Sequence, residues 1–165
     1  MPRHERQRGQ AILEFAILTP VIFLFLFIIV DFGIGLAHRV VLLNAAREGA
    51  RYAAAAAPTN SGCAQADIVD RIKCKTLAHS HGLVDESQIE VAFLDVNGNG
   101  ELEPGDSAAV RINYSYKLIT ALGLSNSIGY LHWPGIPPLK LDSCEDMRME
   151  QVTNGATIST VNPCE

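Results

Sequence analysis

The sequence predicts an α+β protein: one long N-terminal helix that spans a membrane and continues past it, then a small head in which a second helix packs on an antiparallel β-sheet. Three observations support this. Residues 15–30 contain no charge, and only Asp31 breaks the apolar run before His38 and Arg39. Ile68, Val69, Ile72 and Leu77 recur at helical spacing. Two later segments, 89–93 and 110–117, alternate apolar and polar residues as half-buried strands do. The 165 residues leave room for one anchor and one small domain.

As a helix, residues 15–37 measure about 35 Å, against a hydrocarbon core of about 30 Å. A secretory signal peptide would share the basic start formed by Arg3, Arg6 and Arg8. Its apolar stretch is shorter, however, and ends at a small-residue cleavage site, for which Asp31, Phe32 and Gly33 are poor substitutes. Positive charge precedes the span and only Arg39 follows it closely, so the N-terminus is expected in the cytoplasm and the head outside. Good helix formers continue to Ala57, where Pro58 supplies a stop. Within this stretch Ala46, Ala50, Ala53 and Ala57 form a small-residue stripe that permits close approach, either to another subunit or to the chain's own head.

The head begins with a polar linker at 59–62, followed by an amphipathic helix over 64–80 that Gly82 caps. His79 and His81, two positions apart, point to different faces and read as solvated histidines rather than a metal pair. Leu139, Leu141, Met147 and Met149 suggest a third strand interrupted near Cys144. Residues 118–133 are apolar but broken by Gly123 and Gly129, and serve either as a subunit contact or as a cover over the sheet. The polar tail 151–165 is expected to be tied down through Cys164.

All four cysteines, Cys63, Cys74, Cys144 and Cys164, lie beyond the span, on the side where disulfides persist. Three connectivities are open to four cysteines. Pairing Cys63 with Cys74 and Cys144 with Cys164 is preferred because each pair brackets a short local segment. The absence of C-x-x-C spacing argues against zinc.

Between the two alternating strands lies an acidic loop that fits an oxygen-ligand pattern. Asp95, Asn97 and Asn99 stand at positions 1, 3 and 5, Gly100 at 6, Glu101 at 7, Glu103 at 9 and Asp106 at 12. Alternate residues would turn inward around Ca2+, with the glycine making the sharp bend. The match departs from the usual loop in ending on Asp, in using two neutral Asn ligands and in being flanked by strands. The other reading is a hairpin whose Asn-Gly steps adopt positive φ without metal.

The start of the chain carries the most specific pattern. Gly9 and Gln10 lead to Glu14 and Phe15, placing an acid at the edge of the span, where an unpaired carboxylate is costly. This segment resembles the processing site of type IV pilin-like proteins, in which a prepilin peptidase cuts after the glycine and a glutamate stands fifth in the mature chain. A cut between Gly9 and Gln10 would make Glu14 that residue. The new ammonium on Gln10 could then neutralise Glu14 at i,i+4 spacing, or pair with Glu14 of a neighbouring subunit. Asp31, Phe32, Gly33 and the 40–55 segment, above all Asn44-Ala45-Ala46-Arg47-Glu48-Gly49-Ala50-Arg51-Tyr52-Ala53-Ala54, resemble the TadE-like minor pseudopilins of tight-adherence pili.

That resemblance implies three parts: a leader at 1–9, a transmembrane and extended helix at 10–57, and a periplasmic or extracellular head at 58–165. It implies a single-pass bacterial inner-membrane protein. Its partners would be the prepilin peptidase, other pilin-like subunits and the pilus assembly platform. Loss of the leader shifts the net charge from -5 to -7, which argues against nucleic acid or anionic lipid as the head's partner. No G-x-S-x-G elbow, H-E-x-x-H pair or phosphate-binding glycine loop is present, so catalysis finds no support. The competing class is a membrane-tethered calcium-binding or adhesive module that is not incorporated into pili.

Overall fold

A computed structural model describes residues 4–57, 62–63, 65–117, 138–151 and 155–165, with side chains from Gln10 onward. The fold is α+β. Helix α1 (His4–Ala54) is followed by α2 (Ile68–His79), a 3-10 turn (Glu86–Gln88) and strands β1 (Ile89–Leu94), β2 (Ser107–Ile112), β3 (Ser115–Tyr116), β4 (Leu139–Lys140) and β5 (Ser143–Arg148). Two compact units divide the chain: residues 1–36 with 117–138, and residues 37–116 with 139–165. The apolar segment expected at 118–133 lies outside the described residues.

The described part of the first unit is the N-terminal stretch of α1. Among the described residues, α1 is the one helix long and apolar enough to cross a membrane. Its phenylalanines and leucines from Phe15 to Leu26 are exposed, as lipid-facing side chains would be. Pro20 sits inside the helix and withholds one backbone donor. Beside it, the Thr19 hydroxyl donates to the Phe15 carbonyl at 2.6 Å. Asp31 is buried.

In the second unit the rest of α1 forms one wall of the core. Leu42, Ala45, Ala46, Ala50 and Ala53 are fully buried, so the alanine stripe is spent on the chain's own head. The closest approach is at Gly49, where a Cβ would lie 2.2 Å from Thr76 Oγ1 of α2 and 3.4 Å from Val110 Cγ1 of β2. The expected end of α1 at Ala57 is corrected to Ala54. There the Ala57 N–H donates to Tyr52 O at 2.9 Å and the Ala56 N–H to Ala53 O at 3.0 Å, the paired bonds of a Schellman turn. Ala56 takes φ 61° and Ala57 φ 43°, where glycine is usual.

Helix α2 also starts later than expected. Asp67 caps it, accepting the Val69 N–H at 2.9 Å, while the carbonyls of Gln65 and Ala66 are held by the Arg71 guanidinium outside the helix. Residues Cys63 and Cys74 form a disulfide with Cα atoms 5.9 Å apart, pinning Cys63 to α2.

The main sheet is antiparallel, ordered β1-β2-β5. Ile89, Val91 and Phe93 register with Ile112, Val110 and Ala108, which makes one apolar face toward α1 and α2. Central β2 is buried on both faces rather than one. Its other face, carrying Arg111 in register with Cys144, is crossed by the C-terminal tail. There Cys144 is bonded to Cys164 with Cα atoms 5.5 Å apart, and Arg111 donates to Pro163 O at 2.8 Å. Ser159 N–H donates to Phe93 O at 2.7 Å, so the tail also covers the outer edge of β1.

Two strand expectations are corrected. The 110–117 segment breaks at Asn113 and Tyr114, because the chain changes partners: Asn113 N–H turns to Gln88 O, and β3 pairs with β4 instead. The third strand is interrupted at Leu141 and Asp142, and Cys144 lies inside β5.

Candidate functional site

Gly9 and Gln10 lie within the first turns of α1, not in a loop. Helical spacing brings the Gln10 side-chain amide to Glu14, with Nε2 donating to Oε1 at 3.4 Å. Both residues are exposed, and Phe15 stands outward beside them at 68% exposure. Residues 10 and 14 therefore form one patch at the N-terminal end of the apolar segment, at the spacing the sequence required. Chemically the patch holds an acid and an amide, and a cut after Gly9 would add an amine.

At the start of the second unit lies a cluster that no sequence pattern signals. His38 Nδ1 lies 3.2 Å from the Tyr114 hydroxyl, and its ring meets Tyr114 and Tyr116 edge-on at centroid distances of 5.9 and 5.4 Å. Tyr116 is buried. The cluster fixes α1 to β3 immediately beyond the apolar segment. The alternation of Tyr114 and Tyr116 was visible in the sequence, but His38, read only as the end of the span, gave no hint of being their partner. Two ion pairs continue the attachment, Arg47 to Glu145 of β5 at 2.8 Å and Glu48 to Lys75 of α2 at 3.8 Å, while Glu48 also pairs within α1 with Arg51 at 2.9 Å.

The acidic loop spends its oxygens on its own backbone. Asp95 accepts the N–H groups of Gly98 and Gly100, each at 2.7 Å. Asn97 accepts from Asn99, and Asn99 from Glu101, at 3.0 and 2.8 Å. Asp106, almost fully buried, accepts from Val96 at 3.0 Å and Glu103 at 2.7 Å. Gly98 and Gly100 take φ 75° and 85°, so both Asn-Gly steps use the left-handed region. The Gly100 amide is the main reason the Asp95 carboxyl is held below its ordinary range; desolvation opposes it, and the Gly98, Asn99 and Asn97 amides add to the lowering. Among the described residues no three His, Cys, Asp or Glu side chains come together as a metal-holding group.

A surface hollow of about 310 Å³ lies over α2, lined by Gln65, Asp70, Cys74, Leu77 and Glu86. Its one thiol, Cys74, is locked in a disulfide.

Residues 9–51 match the family model described as TadE-like protein. The match begins at Gly9 and ends within α1, at the Arg51 that pairs with Glu48. No curated protein and no solved structure matches the chain.

Proposed function

We propose that this chain, TadE-like over residues 9–51, is a minor pseudopilin that a prepilin peptidase cuts between Gly9 and Gln10 and that acts without catalysis in assembling a tight-adherence pilus. The observation that supports this best is the coincidence at the start of α1. The family match opens on the glycine of the proposed cut, and Glu14 lies one helical turn from Gln10, in contact with it. Cleavage gives Glu14 a cation as neighbour at the moment of maturation, and an acid at the membrane edge is least costly when so paired. The leader's arginines support a cytoplasmic position for residues 1–9 and a periplasmic one for the head.

The test is N-terminal sequencing of the protein recovered from cells with and without the prepilin peptidase. Processing requires a start at Gln10 only when the peptidase is present. Gly9→Leu is expected to block the cut and assembly with it. Glu14→Gln is expected to be inserted and cut normally yet to be missing from purified pili. Normal recovery of Glu14→Gln in pili would deny the acid its role.

A second reading concerns the acidic loop, whose twelve-residue spacing is that of a calcium loop. Under it Ca2+ joins Asp95, Asn97, Asn99, Glu101, Glu103 and Asp106, and millimolar calcium stabilises the head by roughly 1.4 kcal/mol at ten times the dissociation constant. A calcium titration with no change in melting temperature and no heat returns the loop to a hairpin closed by its own backbone.

A further inference from the structure

We propose that Gln10, once it becomes the amino-terminal residue, closes on itself to pyroglutamate, with Glu14 carrying the proton between the attacking and the leaving nitrogen. This rests on the processing reading above.

In the uncut chain the Gln10 nitrogen is an amide bonded to Gly9 and is not nucleophilic. The cut converts it to an amine three carbons along from its own side-chain carboxamide. Attack on Cδ then closes a five-membered ring, an intramolecular step favoured by proximity. The new bond joins the α-nitrogen to Cδ, and the Cδ–Nε2 bond breaks. Nε2 departs as ammonia, taking up the proton the amine gives up. No oxidant, reductant or water enters the balance.

Two proton movements limit such a closure. The amine must shed the proton that makes it an ammonium, and the departing nitrogen must gain one. The structure sets a carboxylate on that departing nitrogen: Nε2 donates to Glu14 Oε1. The same acid lies one turn from the α-nitrogen of residue 10 on the same helix face, so one side chain serves both ends of the transfer. Gln10 is exposed, which leaves the ring room to form.

Closure has a consequence for assembly. The lactam N–H still donates a hydrogen bond, but it carries no charge. The cation that cleavage places beside Glu14 therefore has a finite lifetime, and the acid is paired early after processing and unpaired later. Peptidase cleavage starts this interval, because nothing upstream of it can close the ring.

The experiment follows the full chain, produced together with the prepilin peptidase and held in detergent, by mass spectrometry of its N-terminal peptide over time. The expected peptide begins at residue 10 and becomes lighter by about 17 Da as ammonia leaves, with loss of amine labelling. Glu14→Gln is expected to slow the loss by about tenfold or more, and Gln10→Ala to abolish it. A peptide that still carries residues 1–9 overturns the processing reading and this inference together. A peptide starting at Gln10 that keeps its full mass, or gains a methyl group, overturns ring closure while processing stands. Equal rates in Glu14→Gln and wild type, or the same mass loss in Gln10→Ala, overturn the chemistry assigned to these two residues.

Discussion

Adding one methyl group at Gly49 tests how α1 is seated in the head. In isolation Gly49→Ala should help, since alanine in a helix interior is favoured over glycine by about 1 kcal/mol. In this fold the new Cβ would stand 2.2 Å from Thr76 Oγ1, and Thr76 has little freedom to yield. It is fully buried, β-branched and committed through its hydroxyl to Ile72 O at 2.9 Å. Overpacking of this kind costs up to about 3 kcal/mol, which leaves a net destabilisation of about 2 kcal/mol. For a domain of this size that is a fall in melting temperature of roughly 6–10 °C. Thermal unfolding of the full chain in detergent, followed by near-UV circular dichroism, reads it directly. Thr76→Ala removes the clashing oxygen and leaves Thr76 Cβ at an ordinary 3.4 Å, so the double variant should recover most of the loss, with a coupling energy of about 2 kcal/mol. A Gly49→Ala protein as stable as wild type, or an additive double variant, would refute the close α1–α2 packing.

Other substitutions probe the remaining joints of the head. Ala56→Gly relieves a left-handed alanine at the end of α1 and is expected to stabilise the head by about 0.5–1 kcal/mol in denaturant unfolding; a loss of stability would show that the turn is not formed. Replacing Cys144 and Cys164 together by serine opens a loop of 20 residues and should cost about 3 kcal/mol, while exposing the Phe93 edge to faster hydrogen exchange at Ser159. The Asp95 carboxyl is held below its ordinary value of 3.8, so its contribution to loop stability is complete above that pH and lost as pH falls through the lower folded value. The amide signals of Gly98 and Gly100 should therefore titrate with a midpoint under 3.8; a midpoint at or above it would separate them from Asp95.

Much of this was legible because the strongest signals were local. The uncharged run at 15–30, the helical spacing around Ile72 and the alternation around Val91 each report an element through its own residues. The same holds for the disulfides, where the structure joins each locally bracketed pair. What escaped depended on partners distant in sequence. Nothing in 107–109 showed that β2 would be central, since its second cover is the tail held by Cys164 and by Arg111. The break after Ile112 arises because Asn113 turns to Gln88 and Tyr114 to His38. The end of α1 was misplaced because Pro58 is an obvious stop, whereas a Schellman turn built on alanines has no residue signature.

The fate of the alanine stripe narrows the assembly question. Sequence left Ala46, Ala50, Ala53 and Ala57 equally suited to a neighbouring subunit or to the chain's own head, and the structure buries all four within the head unit. Small residues buried there cannot also seat a second helix. On the pseudopilin reading, apolar helix-to-helix contact between subunits therefore draws mainly on the stretch before Ala37, where Phe15, Ile22 and Ile29 remain exposed. That stretch is almost wholly apolar, and in lipid apolar surface alone gives little preference for one neighbour over another. Its discriminating groups are the few polar ones, and Glu14 is the exposed acid among them. An assembly defect in Glu14→Gln with an intact head would follow from that scarcity, because removing the charge leaves only neutral amides and apolar surface at the N-terminal end of α1, with no acid for a neighbour's cation to select.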